Sequence, residues 1–150
     1  MMNVEILAVQ GPREVARRVG HNITTMAGLS AVAGIWGTAG TTPRRAYPPS
    51  HIALGTGSTA ATRQDIALES HVAASHVIID NRDVDPVGHG VIYQGYWGPG
   101  DANGLTYEEV GLYDGPLATD NLIARFTFSP IAKTSFAAFV CTWRIDFSGA

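Results

Sequence analysis

Residues Phe139, Cys141, Trp143, Ile145 and Phe147 alternate with Val140, Thr142, Arg144 and Asp146. A period of two is one that a strand uses to bury one set of side chains and expose the other, whereas a helix would scatter the five large apolar groups around its circumference. The stretch Phe136 to Phe147 is therefore a half-buried strand, and its apolar face needs a second layer to cover it. Strand patterns recur at Val87 to Trp97, at Leu105 to Tyr113 and at Asn121 to Phe128. In the last of these Leu122, Ala124, Phe126 and Phe128 face one way, and Ile123, Arg125 and Thr127 the other. Polar turns, not helical crossovers, separate most of these five or six strands, which excludes a doubly wound fold. The expected architecture is mainly β, a mostly antiparallel β-sandwich with one N-terminal-half helix packed on it.

That helix is expected where Met26, Leu29, Ala33 and Trp36 recur at helical spacing, capped by Thr24 or Thr25 and stopped at Gly37. Gly28 and Gly34 inside it make sense where another backbone packs closely. Arg13 to Ile23 fits a helix face or the inward positions of a strand, with Val15, Val19 and Ile23 four apart. Asn3 to Val9 reads as a first strand or an arm (residues 1–12 as an N-terminal arm), and residues 37–50 as a long loop, within a single domain spanning 1–150. His71 to Asp80 reads as a strand, Asp80 to Pro86 as a turn, and residues 98–104 as a glycine-rich loop.

A second feature sits mid-chain, His51-Ile-Ala-Leu-Gly-Thr-Gly-Ser-Thr59 followed by Asp65-Ile-Ala-Leu-Glu69. Ile52 and Leu54 give a short strand, which the glycines break off. Gly55, Gly57 and Gly111 are structural turn positions, where the backbone either reaches positive φ or bends where a side chain would clash. A short helical turn is expected next, with Thr62 as its N-cap and Asp65 at its positive end.

Charge narrows the function classes. Only 15% of residues are charged and 17 are glycine, against about 25% charged and about 7% glycine in ordinary domains; this suits a turn-rich β protein with much of its surface against other protein. The net charge of −3 does not favour non-specific nucleic-acid binding. Residues 1–60 carry five arginines against two glutamates, whereas residues 61–150 carry five basic groups against eleven acidic ones. A subunit with one basic end and one acidic end could dock head to side with copies of itself or with neighbours. The single cysteine, Cys141, cannot form an internal disulfide. No signal peptide is expected at the N-terminus. The uncharged run from Ile23 to Thr42 is too interrupted by Gly, Ser and Thr to cross a membrane.

No constellation carries catalytic chemistry. Gly55-Thr-Gly57 lacks the third glycine of a dinucleotide fingerprint and the Gly-Lys-Ser/Thr of a phosphate loop. The five histidines are scattered, and His71 and His76, five apart, would lie on opposite faces of a strand, so no zinc site is expected. Glu108 and Glu109 are adjacent and likewise diverge on a strand. No catalytic, cofactor-binding or metal-binding residue is assigned, and the chain is expected not to be an enzyme. Candidate protein-interface residues are Arg44, Arg45 and Tyr47 in the long loop, and Tyr93, Tyr96 and Trp97.

Asn22-Ile-Thr-Thr-Met-Ala-Gly-Leu29, the His51–Thr59 and Asp65–Glu69 motifs, Tyr107-Glu-Glu-Val-Gly-Leu-Tyr-Asp114, Asn121-Leu-Ile-Ala-Arg-Phe-Thr-Phe-Ser-Pro130 and Val140-Cys-Thr-Trp-Arg-Ile-Asp-Phe147 follow one another in an order that resembles small tailed-bacteriophage virion proteins of the tail-fibre, tail-collar or baseplate-associated type. Tyr113 stands where those proteins commonly have Phe, and the Tyr47-Pro-Pro lead-in is long. The resemblance implies a non-enzymatic virion subunit, made in the host cytoplasm. It would meet copies of itself, as a trimer if it joins a fibre, and other virion proteins. The alternatives are a capsid decoration protein, or a lectin-like module binding a host-surface glycan through Tyr93, Tyr96 and Trp97.

Overall fold

The computed structural model describes residues 2–30, 48–85 and 89–146. Ten strands follow in order: β1 (Met2–Gln10), β2 (Arg13–His21), β3 (Ile23–Thr24), β4 (His51–Gly55), β5 (Val77–Ile78), β6 (Asn81–Asp85), β7 (Gly90–Trp97), β8 (Thr106–Tyr113), β9 (Leu122–Ala132) and β10 (Ala138–Asp146). They form two five-stranded sheets, ordered β2-β1-β10-β7-β6 and β3-β9-β8-β4-β5, and every pairing is antiparallel. The protein is a mostly β, two-sheet fold of the expected class, with more strands than expected.

The core lies between the sheets. Val4, Ile6, Ala8, Tyr93, Trp97, Phe139, Cys141, Trp143 and Ile145 come from the first sheet, and Ile52, Leu54, Val110, Leu112, Ala124 and Phe128 from the second. The alternation in β10 is the one the sequence predicts for Phe139 to Ile145, while Phe147 falls outside the described residues. A smaller apolar cluster of Ala53, Leu68, Tyr113 and Leu122 lies on the other side of the second sheet. That sheet is therefore buried on both faces, and Leu122 and Ile123 are both buried although they point opposite ways.

Several expectations need correction. Of the two readings of Asn3 to Val9, strand and arm, the strand holds: β1 pairs along its length with β2 and β10, which buries Val4, Ile6 and Ala8. Arg13 to His21 is a strand, and Val15 and Val19 point outward while Ala16, Arg18 and Gly20 lie opposite the buried side of β1. Asp80 to Pro86 is not simply a turn, because Asn81–Asp85 adds an edge strand to β7. His71 to Asp80 is mostly not a strand; a 3-10 turn at Ala73–Ser75 interrupts it, leaving only β5.

Residues 26–30 are helical. Thr25 is the N-cap, its hydroxyl oxygen accepting the Gly28 N–H at 3.0 Å. A Cβ on Gly28 would collide with the Ile123 carbonyl, so a neighbouring backbone does pack against that glycine. Gly34, Ala33, Trp36 and most of the long loop lie outside the described residues.

Candidate functional site

The mid-chain motif folds around one buried carboxylate. Glu109 projects from β8 on the side of the second sheet away from the main core, and it is completely buried. Its Oε1 accepts the N–H groups of Gly57 at 3.1 Å and Ser70 at 2.8 Å. Its Oε2 accepts the Glu69 N–H at 3.0 Å and Arg125 Nε at 2.9 Å. Two loop ends, Gly57 and Glu69-Ser70, are thereby clamped onto one side chain from a strand.

Arg125, opposite Gly111 in the β8–β9 pairing, completes the arrangement. Its guanidinium also donates to Asp65 Oδ2 at 2.8 Å and to the Thr59 carbonyl at 3.1 Å, and lies 3.7 Å from Glu69 Oε2. Glu69 in turn accepts the Thr59 N–H and hydroxyl at 2.9 and 2.8 Å. Burial alone would lower the Arg125 pKa, but the bond to Asp65 and the charge and bond of Glu109 outweigh it and hold the guanidinium charged. Burial pushes the Asp65 carboxyl up; hydrogen bonds from Thr62 and Arg125 override this and leave it below the ordinary range. Glu69 is lowered chiefly by the Thr59 backbone and hydroxyl bonds.

The glycines answer to this network. Neither Gly55 nor Gly57 is at positive φ, a conformation seen here at Gly11 and Gly104. They are glycine because of space. A Cβ on Gly55 would collide with Glu109 Oε1, and one on Gly57 would come within 2.5 Å of the Glu69 side chain. Gly111 is not a turn residue. It sits inside β8, where a Cβ would approach Leu122 at 2.7 Å and Leu68 at 2.9 Å. The expected helix after Thr62 is absent too: Asp65 accepts the Thr62 N–H at 2.9 Å and hydroxyl at 2.6 Å, which closes a turn and leaves the carboxylate free to meet Arg125.

The candidate interface residues separate. Trp97 is fully buried, with its indole N–H on the Ser75 carbonyl at 2.7 Å, and Tyr93 is 7% exposed under Arg82. Neither offers a ring face to a partner or a sugar, because both point between the sheets. Tyr96 alternates with them and is 49% exposed. Arg44, Arg45 and Tyr47 lie outside the described residues.

Two further clusters were not anticipated. Lys133 is buried, and its ammonium donates to the carbonyls of Gly98 at 2.8 Å and Ala137 at 2.6 Å and to Asn103 Oδ1 at 3.0 Å. It pins the glycine-rich loop to β9, and burial lowers its pKa against the partial support of Asp101. His71 and His76 do not diverge: the 3-10 turn between them brings Nε2 and Nδ1 to 3.2 Å, and His51 and Tyr113 pack against His76 at 5.5 and 5.1 Å between ring centres. Burial, then the charges of His71 and His51, push His76 down to about 4, against opposing contributions from Gly115 and Asp120.

Among the described residues no group of three or more His, Cys, Asp or Glu is placed to hold a metal ion, and no helix is long and apolar enough to cross a membrane. Surface depressions of about 290 Å³, beside Glu5 and Arg144, and about 400 Å³, beside Ile66 and Asp120, each contain a single acidic residue. Sequence reasoning missed the Glu109–Arg125 pair. The available signal was two opposite charges on adjoining strands of otherwise apolar character, flanked by glycines at 55, 57 and 111. No protein-family model matches the chain, and no curated protein or solved structure matches it either.

Proposed function

We propose that this chain is a non-enzymatic structural subunit of a tailed-bacteriophage virion, in a tail, collar, baseplate or fibre-associated position. In this reading it is made in the host cytoplasm and enters the particle through contacts with copies of itself and with other virion proteins. One observation carries the proposal. The His51–Thr59, Asp65–Glu69, Tyr107–Asp114 and Asn121–Pro130 stretches that carry the resemblance converge on the Glu109–Arg125 network. Asp65, Glu69, Glu109 and Arg125 in these stretches are spent on holding chain segments together, as a scaffold requires. The exposed apolar residues Val15, Val19 and Tyr96 on the first sheet are available for contacts with other protein.

Fractionation of purified particles tests the proposal. Tails and capsids are separated after mild dissociation and probed with an antibody to this chain. Recovery with tails is the expected result, recovery with capsids supports the decoration reading, and absence from both refutes a virion role.

A further inference from the structure

The first sheet ends on two strands that each have a single neighbour among the described residues: β2 lies against β1, and β6 against β7. A sheet edge presents unpaired backbone N–H and C=O groups and is a template for another strand unless something blunts it. Each edge carries an inward arginine, which closes an edge when pairing would drag its charge into a joined core. Here both arginines are folded back within their own subunit. Arg18 donates to the carbonyls of Ser129 at 3.1 Å and Pro130 at 3.3 Å. Arg82 donates to the Pro49 carbonyl at 2.6 Å and lies over the Tyr93 ring.

The central outward charges on the two edges differ in sign. On the outer face β2 carries Arg17 with Glu14, Arg13 lying opposite Gln10 on the inner side, and β6 carries the exposed Asp83. Arg17 is the middle residue of β2 and Asp83 the middle residue of β6. Both lie on the outer face of the sheet, since Arg17 is opposite Leu7 between the buried Ile6 and Ala8, and Asp83 is opposite Ile92 beside the buried Tyr93.

This placement decides between the ways two copies can join. A two-fold pairing of β2 on β2 at full overlap sets Arg17 against its own copy, and β6 on β6 sets Asp83 against its own copy. Like charges directly opposite on a sheet are destabilising. β2 and β6 run in the same direction, because four antiparallel steps separate them. A copy turned about an axis along the strands therefore lays its β6 parallel to β2, with Asp83 in reach of Arg17. The ties of Arg17 to Glu5 and Glu14, at 3.8 and 3.3 Å, are between solvent-exposed side chains and exchange readily.

We infer that the chain joins copies of itself head to tail, β2 of one subunit pairing in parallel with β6 of the next, so that the first sheets run on from subunit to subunit. A contact of this heterologous kind closes into a ring or extends into a filament. The inference deepens the structural-subunit reading and rests on it.

Sedimentation velocity of the full chain over a range of concentration and salt tests it. The native chain associates, and salt weakens the association. Arg17→Glu and Asp83→Lys each weaken it by about tenfold through the like charges they bring together. The two changes in one chain restore association, and so does an equimolar mixture of the two single variants, because every junction then pairs opposite charges. Circular dichroism melts establish that each variant is folded, and Arg17→Gln and Asp83→Asn replace any variant that is not, each expected to weaken association less. A native chain that stays monomeric throughout overturns the inference, as does association that single reversals leave unchanged or that the charge swap does not restore. Particle fractionation reports separately on the parent reading: a chain found in tails whose association ignores the swap leaves that reading intact, and a chain absent from tails and capsids ends it.

Discussion

Replacing Arg125 by Met keeps most of the aliphatic stem and removes the guanidinium from beside a fully buried carboxylate. Glu109 then retains three backbone N–H donors but loses the 2.9 Å bond to Arg125, while Asp65 and the Thr59 carbonyl each lose a partner. Breaking a buried ion pair from one side costs about 3–5 kcal/mol, most of it the stranded charge. A domain of this size is stable by roughly 5–15 kcal/mol, so Arg125→Met removes about a fifth of the total or more. Glu109→Gln costs a similar amount for a different reason. Its amide NH₂, in place of Oε2, faces the Glu69 N–H and Arg125 Nε, and each donor left unsatisfied costs about 1–3 kcal/mol. Urea unfolding followed by the fluorescence of the buried Trp97 and Trp143 reads these losses. The double variant, with neither charge present, should lose about 2 kcal/mol less than the sum of the singles, a coupling typical of residues in contact. A loss below about 1 kcal/mol for Arg125→Met, or a strictly additive double variant, would refute the view that this pair holds the 55–70 segment in place.

Other outcomes follow from the remaining clusters. His76 is held at about 4 in the fold against an ordinary 6.5, so the unfolded chain binds more protons between those values; stability is full above pH 6.5 and falls as pH drops towards 4. The shift sets a ceiling of about 3 kcal/mol, which solvent screening of a half-buried ring reduces to about 1–2 kcal/mol, and urea midpoints at pH 7 and 5 should show the loss while His76→Gln flattens it. Lys133→Met strands the Gly98 and Ala137 carbonyls and should cost about 2–4 kcal/mol, with faster amide exchange at Gly104, whose N–H bonds the Lys133 carbonyl at 3.0 Å. Cys141 is fully buried, and burial pushes its thiol pKa up, so a thiol reagent should leave the native protein unmodified and label it in step with urea unfolding.

What the sequence disclosed tracks how local the determining physics is. The alternation in β10 needed only the period of its side chains, and Thr25 only its place before a helical spacing. Asn81–Asp85 looked like a turn because its residues are polar, and it is a strand because an edge position leaves them in water on the outside of β7. Val15 and Val19 suggested an inward face, whereas pairing with β1 set them outward and placed the less apolar Ala16, Arg18 and Gly20 inside. The glycines were legible as a constraint but not as its cause. That cause is a carboxylate 54 positions from Gly55 and 52 from Gly57, brought to them only when β4 pairs with β8. The His71–His76 contact was hidden for a related reason, since a single 3-10 turn replaced the strand assumed between them.

The number of copies of this chain in a purified particle tests the structural-subunit account most directly. Quantitative mass spectrometry against a labelled standard should return a fixed whole number per particle that survives repeated high-salt washing. A trace, variable amount that washes away, with no copies in tail or capsid, would contradict the account.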